Sequence, residues 1–347
     1  MTVERIDIAP GLNVSRIWKG GWHLSGGHGD IDPAAAIEDM RAFAEAGITT
    51  FDVGDIYTGV EEMIGDFRKK YPALGKKLEI NDKAVPDYDS LTTVTPARLE
   101  ATVDRSLARL GVDRVDMLQF AWWDTKRGDY IAAAKAYADM VKRGKARYLG
   151  GINFLTTEIQ AMLDAGVPLV SHQIQYSLID ARPETSGHID LCLEHGIKLT
   201  CYGVLAGGFV SERWLGKDEP GEPFANRSLR KYKLIIDDFG GWPLFQELLA
   251  VLKRIADKRK TSIANVAMRA ILDKPAVATV IIGAVNRNHL ADHLDLARVK
   301  LDDADRAAIA AVTKKRKGPD GDTYELERDK TGRHGRIMKY NLNVGRA

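Results

Sequence analysis

Two rhythms of apolar and polar positions alternate along most of the chain. Apolar runs of strand length lie at Arg16 to Gly20, Ile48 to Asp52, Leu78 to Lys83, Asp116 to Phe120, Tyr148 to Ile152, Leu169 to Ile174, Lys198 to Tyr202 and Thr279 to Ile282. The stretches between them carry the 3.6-residue period of helices. Asp32-Pro33 gives an N-cap and a proline at the first helical position; Ile37, Met40 and Ala44 share a face, and Gly47 is the stop. Val60, Met63, Ile64 and Phe67 repeat the pattern. Thr95-Pro96 opens a helix with Leu99, Val103, Leu107 and Leu110 inward, ended by Gly111. Further helices fit Tyr130 to Arg143, Thr156 to Ala165, His188 to His195, Leu244 to Lys258 and Asn288 to Ala297.

Strands alternating with helices predict parallel βα units. Eight regular units favour a (β/α)8 TIM barrel over a doubly wound sheet. No weak point divides the pattern, so residues 1–317 read as one barrel domain. The rhythm lapses twice. Gly207 to Trp242 is a Gly- and Pro-bearing insertion after the seventh strand. Gly318 to Ala347 is a polar tail with Tyr324, Met338 and Tyr340. In a barrel, long loops and tails cover the active-site mouth, so the 318–347 tail is expected to cover a substrate pocket. A tail ordered only by contacts between molecules is the alternative.

Composition narrows the function classes. The 347 residues are 45% hydrophobic, enough for a large core, and 50 basic against 48 acidic residues leave a charge of +2. That balance gives no electrostatic case for nucleic acid or an anionic membrane; the expected partner is a small molecule. The start, "MTVERIDIAPGLNV", has charges where a signal peptide needs an apolar core, and no apolar run reaches the length of a membrane span. Cys192 and Cys201 are the only cysteines, so no disulfide framework is indicated. A cytoplasmic location is expected.

The candidate chemistry sits at strand ends. In "FDVGDIYTG", Asp52 ends the second strand and Tyr57 lies in the loop after it; Lys83 ends the third strand. Polar residues at these ends of barrel strands read as functional. A lysine ammonium near a phenol lowers its pKa from about 10, and a buried aspartate holds and compensates that lysine. The tyrosine then becomes a proton donor and acceptor for a carbonyl or alcohol. A structural ion pair with a tyrosine nearby accounts equally well for these three residues. Asp55 reads as a loop residue or an outer carboxylate. His23 and His28, in a glycine-rich loop without metal-ligand spacing, read as solvated; no metal site is expected.

Beyond these residues, "FDVGDIYTGVEEMIG" resembles the F-D-x-x-x-x-Y-G-x-x-E-x-x-x-G signature of the aldo-keto reductase superfamily. The similarity continues in order through "GGW", Lys83, "DMLQFAWWD", "GINF", "SHQIQYSLID", "CYGVLAGGF" and "IIGAVNRNHLADHL". The resemblance implies a TIM barrel, a nicotinamide cofactor (NADP as a rule, NAD not excluded) and hydride transfer between it and a carbonyl or alcohol substrate. By position, Asp52, Tyr57 and Lys83 match catalytic residues. Asn153 and Gln173 fall where the nicotinamide carboxamide is held, and Tyr202 where a ring stacks on it. Gly203, Leu205 and Ala206 begin the loop that crosses the pyrophosphate. Gly21, Trp22, Gly283, Arg287, Asp292 and His293 complete the expected cofactor contacts. Trp22, Tyr57, Trp122 and Trp123 are the expected substrate contacts; Trp22 and Trp122 match the family's pocket positions, while Trp123 reads equally as core. Without the resemblance, Asn153 would read as a helix cap and Tyr202 as core.

Two departures stand out. The family's fourth catalytic residue is a histidine ending the fourth strand; here that position is Ala121, whose methyl cannot donate a hydrogen bond. Either a natural variant or an engineered His-to-Ala substitution gives this residue. After the eighth strand, Gly283 is followed by Ala284, Val285 and Asn286 before Arg287, which reads either as a cation for a 2′-phosphate or equally as a solvated loop charge, and His293 replaces the family's usual asparagine. The expectation is an NAD(P)H-dependent reductase, slowed at Ala121. The alternative is a cofactor-binding regulatory or scaffold protein of the same fold with vestigial turnover.

Overall fold

The strands of the computed structural model are β1 (Arg5–Ala9), β2 (Leu12–Ser15), β3 (Ile17–Gly20), β4 (Thr50–Asp52), β5 (Glu79–Ala84), β6 (Val115–Ala121), β7 (Ala146–Ile152), β8 (Leu169–Gln175), β9 (Lys198–Tyr202) and β10 (Val277–Gly283). The structure describes residues 3–343; the last four residues of the expected tail, 344–347, lie outside them. Strands β3 to β10 close into one parallel barrel in the order β10-β3-β4-β5-β6-β7-β8-β9. Both faces of such strands are covered, and β6 accordingly buries nearly every residue of "VDMLQFA".

All the expected strands and helices form, with ends displaced by at most two residues. Asp32, Thr95 and Asp129 cap their helices by accepting the backbone N–H of Ala34, Arg98 and Ala132. Several elements differ from expectation. An antiparallel hairpin, β1–β2, precedes the barrel. Its Ile8, Leu12 and Val14 pack with Trp18, Met117 and Ala278, and Gly11 accepts a hydrogen bond from Arg147 at 2.5 Å, near the start of β7. The hairpin therefore plugs the end where strands enter. Helix Ile263–Leu272 escapes periodic reading because it is apolar on nearly all sides. Alanines dilute the stripe of helix Asp303–Thr313. The supposed irregular insertion at 207–242 contains helix Arg227–Phe239, which buries Leu229, Tyr232, Ile235, Ile236 and Phe239 on one face.

The tail runs over the opposite end of the barrel. Asp322 accepts hydrogen bonds from Thr156 N and Oγ1 at 2.6 and 2.9 Å, and Thr323 Oγ1 donates to Phe154 O at 2.7 Å. Glu327 is buried against Arg182 at 2.9 Å. Farther on, Tyr88 N donates to Tyr340 O at 3.0 Å, and Asn343 Nδ2 donates to Val85 O at 3.0 Å. These contacts lie at the ends of β5, β7 and β8 and tie the tail across the mouth. Among the described residues no helix is long and apolar enough to cross a membrane.

Candidate active site

Strands β4 and β5 run side by side with Asp52 opposite Asn81, which brings Lys83 beside the aspartate. Lys83 Nζ and Asp52 Oδ1 form a short ion pair, and both side chains are only 4% exposed. A buried pair is tolerated only when further hydrogen bonds satisfy it. Asn81 Nδ2 and Gln173 Nε2 supply these to Asp52 Oδ1 at 2.6 and 2.8 Å. Gly54 leaves room for the lysine stem, since a Cβ there would lie 2.8 Å from Lys83 Cβ.

The ammonium of Lys83 lies 4.9 Å from the centroid of the Tyr57 ring, and the Trp22 ring is 5.1 Å away on another side. The expected acidification of Tyr57 is not found. Burial, and then the charge of Asp52, push its phenol well above 10. Burial also pushes Lys83 down, and Asp52 already balances its charge. Tyr57 is therefore held as a protonated donor. Asp55 is an outer carboxylate: it accepts Val85 N and Asn343 Nδ2, both at 3.1 Å, and burial raises its pKa to about 8.

At the end of β6, Ala121 lies with Val85 and Ile152 in a small apolar cluster bordered by Ile56 and Trp123. The two tryptophans after it take different sides. Trp122 is 2% exposed in the main core, its indole N–H donating to Arg127 O at 2.8 Å. Trp123 joins the Ala121 cluster and meets the edge of Tyr340 at 5.4 Å. Successive residues leaving a strand face opposite sides, so only one of them can join Ala121.

Asn153 follows β7 in the left-handed region at φ 57°, and it does not cap the next helix, whose N-cap is Leu155. Its Oδ1 accepts Tyr202 OH at 2.8 Å. Gln173 must turn its NH2 to the Asp52 carboxylate, which only accepts. Asn153 Nδ2 and Gln173 Oε1 thus remain without a hydrogen-bond partner among the described residues. One donor and one acceptor match a primary carboxamide, so this pair fits the group expected there. Gly203 has φ 73°, and a Cβ on it would meet Tyr232 Oη at 2.3 Å; Leu205 and Ala206 continue beneath helix Arg227–Phe239.

The remaining expected contacts are dispersed. Gly21 donates to Asp52 O at 2.7 Å. Gly283 packs on His23, whose Cε1 would be 1.8 Å from an added Cβ. His23 is not solvated: burial, and then His28, lower its pKa to about 3. His28 is hydrogen-bonded to Ser228 at 2.8 Å. Arg287 is exposed and lies 3.5 Å from Asp39. Asp292 accepts Ser262 Oγ at 2.8 Å and so braces helix Ile263–Leu272. His293 lines a small cavity with Arg16, Ile17 and Leu272 in the outer wall, and burial lowers its pKa to about 4. Neither Asp292 nor His293 is brought to Asp52 and Tyr57.

Sequence reasoning missed Asn81, Arg227, Lys231 and Arg328. Asn81, two residues before Lys83 on the same strand face, was recoverable by alternation. Arg328 was not; it donates to Trp122 O at 3.0 Å and Asn153 O at 2.9 Å, linking residues far apart in the chain.

The closed parallel α/β barrel carries a buried Asp–Lys pair beside a tyrosine on its strand-exit side. The Aldo/keto reductase family matches residues 16–314, and the chain belongs to that family. It is 27% identical over 316 residues to 6-dehydroglucose reductase of Agrobacterium fabrum (strain C58 / ATCC 33970), covering 86% of this chain and 94% of that protein. It is 26% identical over 308 residues to flagellar radial spoke protein 5 of Chlamydomonas reinhardtii, covering 70% of this chain but only 58% of that protein's length. The crystal structure of the thermostable aldo-keto reductase Tm1743 with the inhibitor epalrestat shares the fold, with a TM-score of 0.71 and 21% identity over 89% of this chain and 99% of that one.

Proposed function

We propose that the protein is a nicotinamide-dependent oxidoreductase acting on a carbonyl/alcohol pair. The observation that carries this reading is Lys83, held by buried Asp52, with its ammonium 4.9 Å from the Tyr57 ring. A bound nicotinamide supplies or accepts the hydride. In reduction, Tyr57 donates its proton to the carbonyl oxygen as charge develops there. The nearby Lys83 ammonium stabilises the resulting phenolate, and Asp52, Asn81 and Gln173 keep that ammonium in place. Asn153 Nδ2 and Gln173 Oε1 would hold the carboxamide, Tyr202 would offer its ring, and Gly203 to Ala206 would lie along the phosphates.

NADP is the proposed form. Arg287 would exchange its exposed partner Asp39 for a 2′-phosphate, a charge-assisted contact that NAD lacks. Trp22 and Trp123 would wall the substrate, with the tail as its cover. Ala121 supplies no donor, and its apolar neighbours offer few partners to a fixed water. Turnover is then slow, because carbonyl polarisation falls on Tyr57 alone.

Stopped-flow mixing of the NADPH-bound protein with reactive aldehydes tests the reading. Slow hydride transfer is expected. Ala121→His should raise kcat by ~10²–10⁴, and Tyr57→Phe in that background should remove most of the gain. No oxidation of NADPH by either protein would favour the vestigial alternative. Unchanged or slower reduction after Ala121→His would mean that this position is not a vacated donor site.

A further inference from the structure

Helix Arg227–Phe239 is locked in rotation by its buried face, Leu229, Tyr232, Ile235, Ile236 and Phe239, and by the close seat of Tyr232 on Gly203 and Gly207. Arg227 and Lys231, four residues apart, therefore share another face. The Arg227 guanidinium lies 3.9 Å from the centroid of the Trp22 ring and donates one hydrogen bond, to Gly26 O at 2.9 Å; its Nε is buried with no partner. Trp22 in turn packs on Tyr57. Lys231 Nζ lies 5.1, 5.4 and 5.6 Å from the ring centroids of Tyr202, Tyr232 and Tyr324.

Among the described residues, neither cation has a carboxylate within ion-pair distance, and Lys231 makes no hydrogen bond. Their neighbours are treated differently. Arg182 is paired with Asp180 and Glu327, and Arg328 with Glu158. Both cations are half-buried, and aromatic faces compensate a partly desolvated charge only in part. Lys231 feels the carboxylate of Glu327 beyond ion-pair distance, whereas Arg227 has no carboxylate among its principal electrostatic neighbours. The other side of the mouth, Val85, Ala121, Ile152 and Trp123, is apolar, so the cations of the site lie on one side.

We propose that Arg227 and Lys231 form the binding site for an anionic group, a carboxylate or phosphate, on the carbonyl substrate. This rests on the reading of Tyr57 as the proton donor, since Trp22 places Arg227 beside it. The cofactor's own phosphates are the competing source of the same chemistry. They are expected along Gly203 to Ala206, near Lys231, whereas Arg227 stacks on Trp22 beside Tyr57.

The test compares matched aldehydes, 4-carboxybenzaldehyde with benzaldehyde and glyceraldehyde 3-phosphate with glyceraldehyde, in NADPH-dependent reduction by the full chain. The unsubstituted chain should prefer the charged member of each pair. Arg227→Gln and Lys231→Gln should each lower the charged-to-uncharged ratio of kcat/KM roughly ten-fold or more, mainly through KM, the loss of a charge-assisted hydrogen bond. Arg227→Lys and Lys231→Arg, which keep the charge, should retain most of the preference; this separates recognition from damage to the fold. An unchanged ratio would overturn the proposal, as would a parallel loss of NADPH affinity in fluorescence titration, which would assign the cations to the cofactor. Titration calorimetry with terephthalate covers the case in which no aldehyde is turned over. Binding lost in Arg227→Gln sustains the anion site without the reductase reading, and absence of binding to the unsubstituted chain sinks it.

Discussion

Two corners of the barrel mouth are built in opposite ways. At the β4–β5 corner, Asp52, Asn81 and Lys83 come from adjacent strands, and their polar groups are satisfied largely by one another and by Gln173. At the β6–β7 corner, Ala121 and Ile152 offer apolar surface, and the turn carrying Asn153 is held from outside. Arg328 takes the carbonyls of Trp122 and Asn153, Thr323 takes that of Phe154, and Asp322 takes the N–H of Thr156. One corner is a property of the barrel; the other is completed by the tail. The difference separates two kinds of support: the first makes a charged group affordable in the core, while the second fixes a strained backbone turn in place.

Breaking the first corner should have the largest effect. Asp52→Asn removes the charge paired with Lys83 and leaves the buried ammonium with only the more distant Asp82 and Asp55. Loss of one member of a buried pair costs about 3–5 kcal/mol, so the urea midpoint should fall accordingly. A loss below about 1 kcal/mol would mean that water reaches Lys83 and that this corner is not self-contained.

The same contrast decides what was legible in the sequence. Asp52, Tyr57 and Lys83 sit where an apolar strand ends in polar residues, so strand periodicity alone located them. The barrel followed because its strands and helices repeat one local pattern. The β1–β2 hairpin and helix Ile263–Leu272 were missed for lack of that pattern, the first being short and the second apolar nearly all round. Arg227 and Lys231 were hidden in a stretch whose flanking glycines and prolines read as loop. Arg328 lay beyond reach, since nothing near residue 328 indicates that its hydrogen-bond partners are residues 122 and 153. The environment of Trp122 was misread because a tryptophan at a strand end gives no sign of which side it takes.

The corners meet at Asp55, which accepts from Val85 N of the barrel and from Asn343 of the tail. Burial first, and then the charge of Glu61, raise its pKa to about 8. A carboxyl whose folded pKa exceeds its unfolded value near 4 binds its proton more tightly when folded. Its stabilising contribution is complete below pH ~4 and is lost as pH rises toward 8, with a slope approaching ~1.4 kcal/mol per pH unit. Asp55→Asn cannot titrate. Stability of the unsubstituted chain relative to this variant should therefore fall by about 1–3 kcal/mol between pH 5 and pH 7, read from urea midpoints. The variant also loses one acceptor, but that cost is the same at both pH values. Parallel pH profiles would show that Asp55 is ionised throughout and that the tail meets a charged group there.

Breaking the second corner should cost less in stability, and its effect should fall on the cofactor. Methionine at position 328 keeps the stem over Phe154, whose ring centroid lies 5.8 Å from the guanidinium carbon. It removes the donors that Arg328 gives to Trp122 O, Asn153 O and Glu158. Glu158 keeps Leu155 N at 2.8 Å and Thr125 Oγ1 at 2.5 Å, so the main loss is two orphaned carbonyls, about 1–3 kcal/mol. Asn153 is held at φ 57°, a conformation that persists only when its surroundings enforce it. With the clamp gone the turn relaxes, and NADPH affinity should weaken by roughly 1–2 kcal/mol, five- to thirty-fold. Arg328→Lys can still pair with Glu158 but cannot fork to both carbonyls, so it should recover stability before affinity. Deleting the chain after Lys317 should reproduce the affinity loss, because Asp322, Thr323 and Arg328 leave together. Lower stability with an unchanged NADPH dissociation constant would reduce Arg328 to a structural brace, and the tail to a cover with no part in shaping the carboxamide pocket.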